Sequence, residues 1–421
     1  MSKTTLEKIA SKENLIFAWS KLDKNNKASH GLSGQTIQDF QDNLEDKILS
    51  ISKQLLAKTY TFSQNRAVLI PKSNGKFRPL QVPEISDRLV LKAIAIELEE
   101  QVKDIIDKSA GVSFAYQKKL GIKDAFLKIV SHYDEGYTFT LEADLINFFG
   151  EVNKEDLLNN IVLPKLKDTS LNELITSALN QQIGGLEKFN NEQKSYFDNI
   201  NKGIPQGNPL SPLLSNIYLS PFDLYMKNQG FRVVRYADDF VVLCISKDEC
   251  LQAHKACEKI LADLKLKIHK LEDHGKTRVL DIKRDSLTFL SITFNGKIYF
   301  PSVENYERLK NKIRDICNGK VEYNLLTLLK KINNTFDGWI SAFYFTKMEV
   351  YNPDIDYFIN RQLLLSLSKS NWKFTPKSIG KLPAKFRQKG ESADCLSESQ
   401  RRFSGIPIYM ETVIEKRKNT G

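Results

Sequence analysis

The sequence predicts an α+β fold in which an antiparallel sheet is preceded by a helical cap and followed by a helical bundle. Three observations predict it. Phe231-Arg-Val-Val-Arg-Tyr236 and Phe240-Val-Val-Leu-Cys-Ile245 are β-rich runs with only Ala237-Asp238-Asp239 between them, which reads as a tight hairpin. The elements around it run strand, helices, hairpin, helix, hairpin, the order of an antiparallel sheet with its helices segregated. Apolar residues at helical spacing dominate the chain before residue 60 and after Pro301.

Residues 4–60 read as helical, with Leu44, Ile48, Ile51, Leu55 and Leu56 on one stripe and a break at His30-Gly-Leu-Ser-Gly34. Ala67-Val-Leu-Ile-Pro71 is a short strand. The polar turn Lys72-Ser-Asn-Gly-Lys76 leads to Phe77-Arg-Pro-Leu80, making a hairpin with a basic tip. Residues 84–107 are expected to form one long amphipathic helix. Residues 138–146 alternate as a strand ending near Asp144, and residues 153–182 read as helical again. Residues 203–219 open as a Gly/Pro loop and continue as an apolar helix; a further helix covers 248–267.

Leu287-Thr-Phe-Leu-Ser-Ile-Thr-Phe294 and Lys297-Ile-Tyr-Phe300 flank an Asn-Gly turn, a strong hairpin signal. Helices follow to about Ser368. Residues 371–389 then contain no acid but carry Lys373, Lys377, Lys381, Lys385, Arg387 and Lys389, with Trp372, Phe374 and Phe386 interleaved. Pro376, Gly380 and Pro383 exclude a continuous helix there. Lysines and arginines that meet phosphates beside rings that stack on bases make this a candidate RNA-binding surface; the alternative is a solvated tail anchored by its apolar residues.

The 421 residues carry a net charge of +11 and a pI near 9.1, a balance suited to a phosphate-rich partner. Cys244, Cys250, Cys257, Cys317 and Cys395 form no CxxC pair and have no histidine cluster nearby, which argues against a zinc site and for reduced thiols. His30, His132, His254, His269 and His274 match no catalytic pattern and read as structural or surface residues. No apolar run approaches the ~18 residues that span a bilayer, and the first ten residues lack an apolar signal core. A cytoplasmic protein without a membrane partner is expected.

Asp238 and Asp239 at a hairpin tip, with Asp144 at the end of a neighbouring strand, could aim carboxylates at one point. That is what phosphodiester synthesis with two Mg²⁺ ions (or Mn²⁺) about 4 Å apart requires of a protein. Taken singly, Asp-Asp is also ordinary turn chemistry and Asp144 also an ordinary helix cap.

The strings themselves decide between these readings. Tyr236-Ala-Asp-Asp239 resembles the Tyr-x-Asp-Asp box of reverse transcriptases, and Asp144-Leu-Ile-Asn-Phe-Phe149 resembles their first carboxylate motif. Gly203-Ile-Pro-Gln-Gly-Asn-Pro-Leu-Ser-Pro212, continuing to Asn216, resembles their template-and-nucleotide loop. The likeness is greatest to bacterial group II intron-type enzymes. Ile70-Pro-Lys-Ser-Asn-Gly-Lys-Phe-Arg-Pro-Leu80 resembles their fingers motif, residues 17–44 their N-terminal extension, Phe289-Leu-Ser-Ile292 their primer-grip turn and Gly338-Trp-Ile-Ser-Ala-Phe-Tyr344 their thumb segment. Departures are Ser291 where Gly is usual, Gly150 where Asp is frequent, and Ser113-Phe-Ala-Tyr-Gln117 with Gln117 in place of Arg.

The resemblance implies a right-hand polymerase with fingers, a ferredoxin-like antiparallel palm and a helical thumb. Its divisions would be an N-terminal extension and fingers at 1–125, a palm at 126–301, a thumb at 302–368 and a basic C-terminal segment at 369–421. It implies Asp144 and Asp238 as bridging metal ligands, with Asp239 and the Leu145 carbonyl in support. Lys72 and Arg78 would hold the triphosphate, Phe149 would exclude a 2′-hydroxyl, and Gln206 would touch nucleotide or template. Gly203, Pro205, Gly207 and Tyr236 would line the template and primer path. Lys276 falls where a general acid for pyrophosphate is expected, a plain surface lysine being the alternative. The implied activity is RNA-directed DNA polymerisation from dNTPs, making cDNA on an RNA template.

No Cys/His-rich nuclease module follows the thumb, and retron-type motifs are not seen. The pattern therefore resembles the stand-alone, "unknown group" enzymes of antiphage defence, which often act with a dedicated structured non-coding RNA. The alternatives are a template-independent or self-primed DNA polymerase of the abortive-infection type, and an intron maturase-like RNA-binding protein.

Overall fold

The computed structural model describes residues 3–72, 75–198, 202–272, 275–319, 323–369, 401 and 405–420. The chain divides into two compact units, Met1–Val279 and Leu280–Gly421. The basic stretch 371–389, with Lys373, Lys377, Lys381, Lys385 and Arg387, lies outside the described residues.

The first unit opens with helices Thr5–Ala10, Lys12–Ser20, Ile37–Asp42 and Leu44–Leu56. The starts of the first three are set by Thr4, Ser11 and Thr36, whose hydroxyls accept from backbone N–H groups of the first turn. Strand β1 (Asn65–Pro71) pairs antiparallel with β2 (Phe77–Val82), so the basic-tipped hairpin forms as expected.

The helix expected over 84–107 is two helices, Ile85–Gln101 and Lys103–Lys108, interrupted at Val102. The continuous helix expected over 153–182 is also absent. The chain there forms a short π-helical stretch, Leu157–Val162, then 3-10 turns, then helix Asn172–Leu179. Pro164 in the second of these elements has no N–H to continue a ladder, and the Asp168 side chain caps the next turn by accepting from the Ser170 N–H. Strand β4 (Ile183–Gly184) then adds parallel to β1.

The second sheet of this unit has the order β5-β6-β3-β7, from β3 (Phe139–Asp144), β5 (Arg232–Tyr236), β6 (Asp239–Cys244) and β7 (Arg278–Asp281). Its pleat separates two faces. Leu141, Ala143, Val233, Phe240, Val242 and Cys244 join the apolar core with Leu214, Ile217 and Phe222 of helix Ser211–Asn228 and with Cys250 and Cys257 of helix Lys247–Asp263. The alternate residues Glu142, Asp144, Asp239 and Tyr236 therefore lie on the opposite face.

In the second unit, β8 (Leu287–Phe289), β9 (Ile292–Phe294) and β10 (Tyr299–Pro301) form an antiparallel sheet of order β10-β9-β8. The single strand expected over 287–294 is folded back on itself at Leu290-Ser291. Both residues are left-handed, at φ +51° and +63°, which is why glycine suits this turn. Helices Val303–Asn318, Leu325–Phe343, Asp354–Lys369 and Tyr409–Thr420 follow. They pack through Leu309, Ile313, Ile332, Phe336, Ile340 and Ile359. Among the described residues no helix is long and apolar enough to cross a membrane.

Candidate active site

Three of the expected site residues converge because of strand register. Asp144 ends β3 and is paired with Asp239, the first residue of β6. Directly opposed residues in an antiparallel ladder have Cα atoms about 5 Å apart and side chains on one face. Tyr236 pairs with Asp239 on the other side, leaving Ala237 and Asp238 as the two-residue turn. Ala237 takes φ +60°, a left-handed position that glycine usually fills in such turns.

Burial, and after it the crowding of like charge, raises the carboxyls of this site. Burial first, then Asp238, Asp144 and Glu142, raise the Asp239 carboxyl to about 6 against the opposing pull of Lys276. Asp238 is raised by burial and by Asp144, against the lowering influence of Arg78 and Arg235. Beside them Glu142 is raised by burial and held by Arg278, whose Nε donates to Oε2 at 2.9 Å.

Lys276, the candidate general acid, donates from Nζ to Asp144 Oδ2 at 2.6 Å. His269, expected from the sequence to be a structural or surface residue, lies here too. Its Nε2 is 3.8 Å from Asp144 Oδ2 and 3.5 Å from Lys276 Nζ, and its backbone N–H donates to the Asp144 carbonyl at 3.1 Å. Leu145 is buried and its backbone bridges Ile268.

The donor set is of the kind that divalent ions take. Carboxylate oxygens are the hard ligands Mg²⁺ takes, and the register supplies them from two adjacent strands. Their mutual repulsion is what bound cations would relieve. Among the described residues no group of three or more His, Cys, Asp or Glu side chains stands as a metal-holding cluster, and Asp144 is turned onto Lys276. The residues fit the ions in chemistry and backbone placement, with side-chain rotation remaining.

The residues expected to hold the nucleotide belong to the same unit. In the β1–β2 hairpin Ile70 pairs with Arg78, and Lys72, two residues on from Ile70, shares that face. Both cations are exposed, and Arg78 is near enough to Asp238 to lower its pKa. Phe149 is half-buried and packs edge-on against Phe148, ring centroids 5.3 Å apart.

The Gly/Pro loop is fastened to both. The Ile204 N–H donates to the Phe149 carbonyl at 2.9 Å, and the Gln81 N–H of β2 donates to the Gln206 carbonyl at 2.8 Å. A Cβ on Gly203 would stand 1.9 Å from the Phe149 carbonyl oxygen, and one on Gly207 would stand 2.5 Å from the Gln81 carbonyl oxygen. Pro205 accepts from Ser211 Oγ at 2.6 Å. The Gln206 side-chain Oε1 is buried with no hydrogen-bond partner among the described residues.

A polar hub behind the hairpin had no signal of its own in the sequence. Arg235 and Asp223 are each 0% exposed and paired, with Arg235 also bonded to Asn216 and to the Ala237 carbonyl. The loosely matching segment 113–117 belongs here as well. Ser113 bridges Arg235, and Tyr116 feels the field of Asp238 and Arg78.

An antiparallel sheet presenting strand-end and hairpin-tip carboxylates beside a basic hairpin and a glycine-bearing loop defines a candidate nucleotidyl-transfer site. The family model described as "Reverse transcriptase (RNA-dependent DNA polymerase)" matches residues 70–294, and the chain belongs to that family. Its right-hand polymerase class follows from this membership.

The group II intron-encoded protein LtrA of Lactococcus lactis subsp. cremoris is 30% identical over 265 residues, 62% of this chain and 40% of that protein. Protein YkfC of Escherichia coli (strain K12) is 28% identical over 210 residues, 49% of this chain and 53% of that protein. A chain of a solved partial Cas6-RT-Cas1--Cas2 complex is 28% identical, with a TM-score of 0.37, covering 62% of this chain and 42% of that one. This chain thus spans 40% and 53% of the two curated relatives' lengths.

Proposed function

We propose that the protein is an RNA-directed DNA polymerase that builds cDNA from dNTPs on an RNA template. The observation that carries this reading is the pairing of Asp144 with Asp239, with Asp238 at the adjoining turn.

Asp144 and Asp238 would be the principal ligands of two Mg²⁺ ions (or Mn²⁺), with Asp239 and the Leu145 carbonyl in support. Such ions supply a more nucleophilic 3′-hydroxyl and neutralise the leaving pyrophosphate. Lys276 would exchange its contact with Asp144 for the departing phosphate. Arg78, whose planar fork matches phosphate oxygens, and Lys72 would hold the triphosphate from the hairpin face they share. Phe149, fixed through its own carbonyl to the Gly/Pro loop, would lie under the sugar and favour a nucleotide without a 2′-hydroxyl. The Gln206 side-chain oxygen, buried and unpartnered among the described residues, would accept from nucleotide or template, while Gly203, Pro205, Gly207 and Tyr236 would line the template and primer path.

The finer proposal is a cytoplasmic enzyme that copies a dedicated structured non-coding RNA in antiphage defence. The sequence resemblance supports it, as does the +11 charge for RNA binding in general. The domain divisions at 125, 301 and 368, and an RNA-binding role for the stretch with Lys373, Lys377, Lys381, Lys385 and Arg387, are part of the same proposal.

Incorporation of dNTPs, then of rNTPs, with and without template RNA, tests the reading. Template-dependent DNA synthesis is expected. Synthesis without template, or from rNTPs alone, would replace it with another polymerase activity. Sequencing the RNA and cDNA that copurify tests the choice of template.

A further inference from the structure

Arg235 is a buried charge that the polymerase reading leaves without a task. It stands in β5 one residue before Tyr236, and both it and its partner Asp223 are 0% exposed. A charged pair taken fully out of water loses its hydration, and an apolar pair of similar volume often serves a fold as well or better. The geometry shows what an apolar pair would not supply.

Arg235 Nε and Nη2 fork onto Asp223 Oδ1 and Oδ2 at 2.7 and 2.5 Å. Nη1 then donates in two directions, to Asn216 Oδ1 at 3.1 Å and to the Ala237 carbonyl at 2.8 Å. Ala237 is the turn residue at φ +60°, a conformation that disfavours any residue with a Cβ. The fork on Asp223 fixes the guanidinium plane, and the remaining nitrogen clamps the strained turn.

The same guanidinium ties two other segments to that turn. Asn216 Nδ2 donates to the Ala115 carbonyl at 2.8 Å, and Ser113 Oγ donates to Asn216 Oδ1 at 3.3 Å. The Arg235 backbone bonds both ways, its N–H to the Val112 carbonyl at 2.8 Å and its carbonyl from the Phe114 N–H at 3.0 Å. Helix Ser211–Asn228, the segment 112–116 and the carboxylate hairpin therefore share one buried anchor.

We propose that Arg235, oriented by Asp223, is a positioning residue that holds the Ala237-Asp238 turn in one backbone geometry, so that Asp238 is presented to divalent ions in register with Asp144. This rests on the polymerase reading of the site.

The test compares full-length wild type with Arg235→Lys and with the double variant Arg235→Met/Asp223→Leu. The double variant removes both buried charges together and is expected to keep the fold. Arg235→Lys keeps the cation but cannot reach Asp223 and Ala237 at once. Displacements of about 1 Å in a reacting geometry reduce rates by about 100-fold, so both variants should lose roughly that much in kcat. The dNTP KM should stay near the wild-type value while the Mg²⁺ concentration for half-maximal rate rises several-fold. A readout without turnover is the rise in melting temperature on adding Mn²⁺, which should be present in wild type and much reduced in both variants.

If either folded variant keeps the wild-type kcat, Mg²⁺ midpoint and Mn²⁺ shift, Arg235 serves only the fold and the proposal is wrong. A wild-type protein that incorporates no nucleotide overturns the polymerase reading instead; a Mn²⁺ shift lost in the variants would still support Arg235 as the residue that positions the carboxylates.

Discussion

Asp144 and Asp239 are direct partners across strands β3 and β6, on the face of the sheet opposite the one packed against helices Ser211–Asn228 and Lys247–Asp263. Everything that makes this a candidate catalytic centre follows from that pairing. The pleat places both side chains on one face, the two-residue turn adds Asp238, and Lys276 balances part of the charge through Asp144.

The approach of the Gly/Pro loop to Phe149 leaves no room for a side chain at 203. Gly203→Ala would put a methyl 1.9 Å from a backbone oxygen, so the loop must move and the bond from Ile204 to Phe149 must break. Overpacking of this kind costs about 1–3 kcal/mol. Primer-extension kinetics should show a dNTP KM raised several-fold with the overall fold retained. An unchanged KM would contradict the close approach.

Phe149 is proposed to sense the sugar. Phe149→Val should admit rNTPs and reduce the ratio of kcat/KM for dCTP over CTP by about 10–100-fold, the range expected when a contact by a few carbon atoms is removed. A ratio that does not move would make Phe149 a core aromatic only.

Asp87 gives a pH dependence away from the site. It is 1% exposed, and burial raises its carboxyl to about 6, against hydrogen bonds from Tyr60 and the Ser63 N–H that lower it. The ordinary value is 3.8, so the folded state holds this proton more tightly than the unfolded chain. Its stabilising contribution is fully present below pH 3.8 and is lost as pH rises through about 6. Between pH 5 and 7.5 the wild type should lose about 1 kcal/mol that Asp87→Asn does not. Parallel profiles in denaturant unfolding would refute the assignment.

The turn at Leu290-Ser291 holds two left-handed residues with side chains. Ser291→Gly should stabilise the second unit by about 0.5–1 kcal/mol, because glycine takes φ +63° without a Cβ penalty. Urea unfolding followed in that unit is the measurement, and a loss of stability would contradict it.

Much of the candidate site could be read from the sequence because its signals are local. A β-run, two residues, and another β-run define the hairpin, and an alternating strand ending in Asp144 defines its neighbour. What could not be read depends on tertiary contact. Nothing near Arg235 in the sequence marks Asp223 and Asn216 as its partners, 12 and 19 residues away. His269 reaches Asp144 only through the bridge between Leu145 and Ile268. Alternation over 287–294 reads as one strand because a hairpin closed by Leu290-Ser291 keeps apolar residues on both sides of it, and only the resemblance of Phe289-Leu-Ser-Ile292 to a primer-grip turn marked the bend. The helical pattern over 153–182 was interrupted by Pro164 and by the cap from Asp168, where local hydrogen bonding outweighs periodicity.

The most direct test is template-dependent DNA synthesis by wild type, Asp144→Asn and Asp238→Asn, each checked for an intact fold by its melting transition. Removing a ligand of the proposed metal pair should lower the rate by roughly three orders of magnitude or more while the melting temperature holds or rises. Synthesis within twofold of wild type by either folded variant would contradict a reaction centred on these carboxylates.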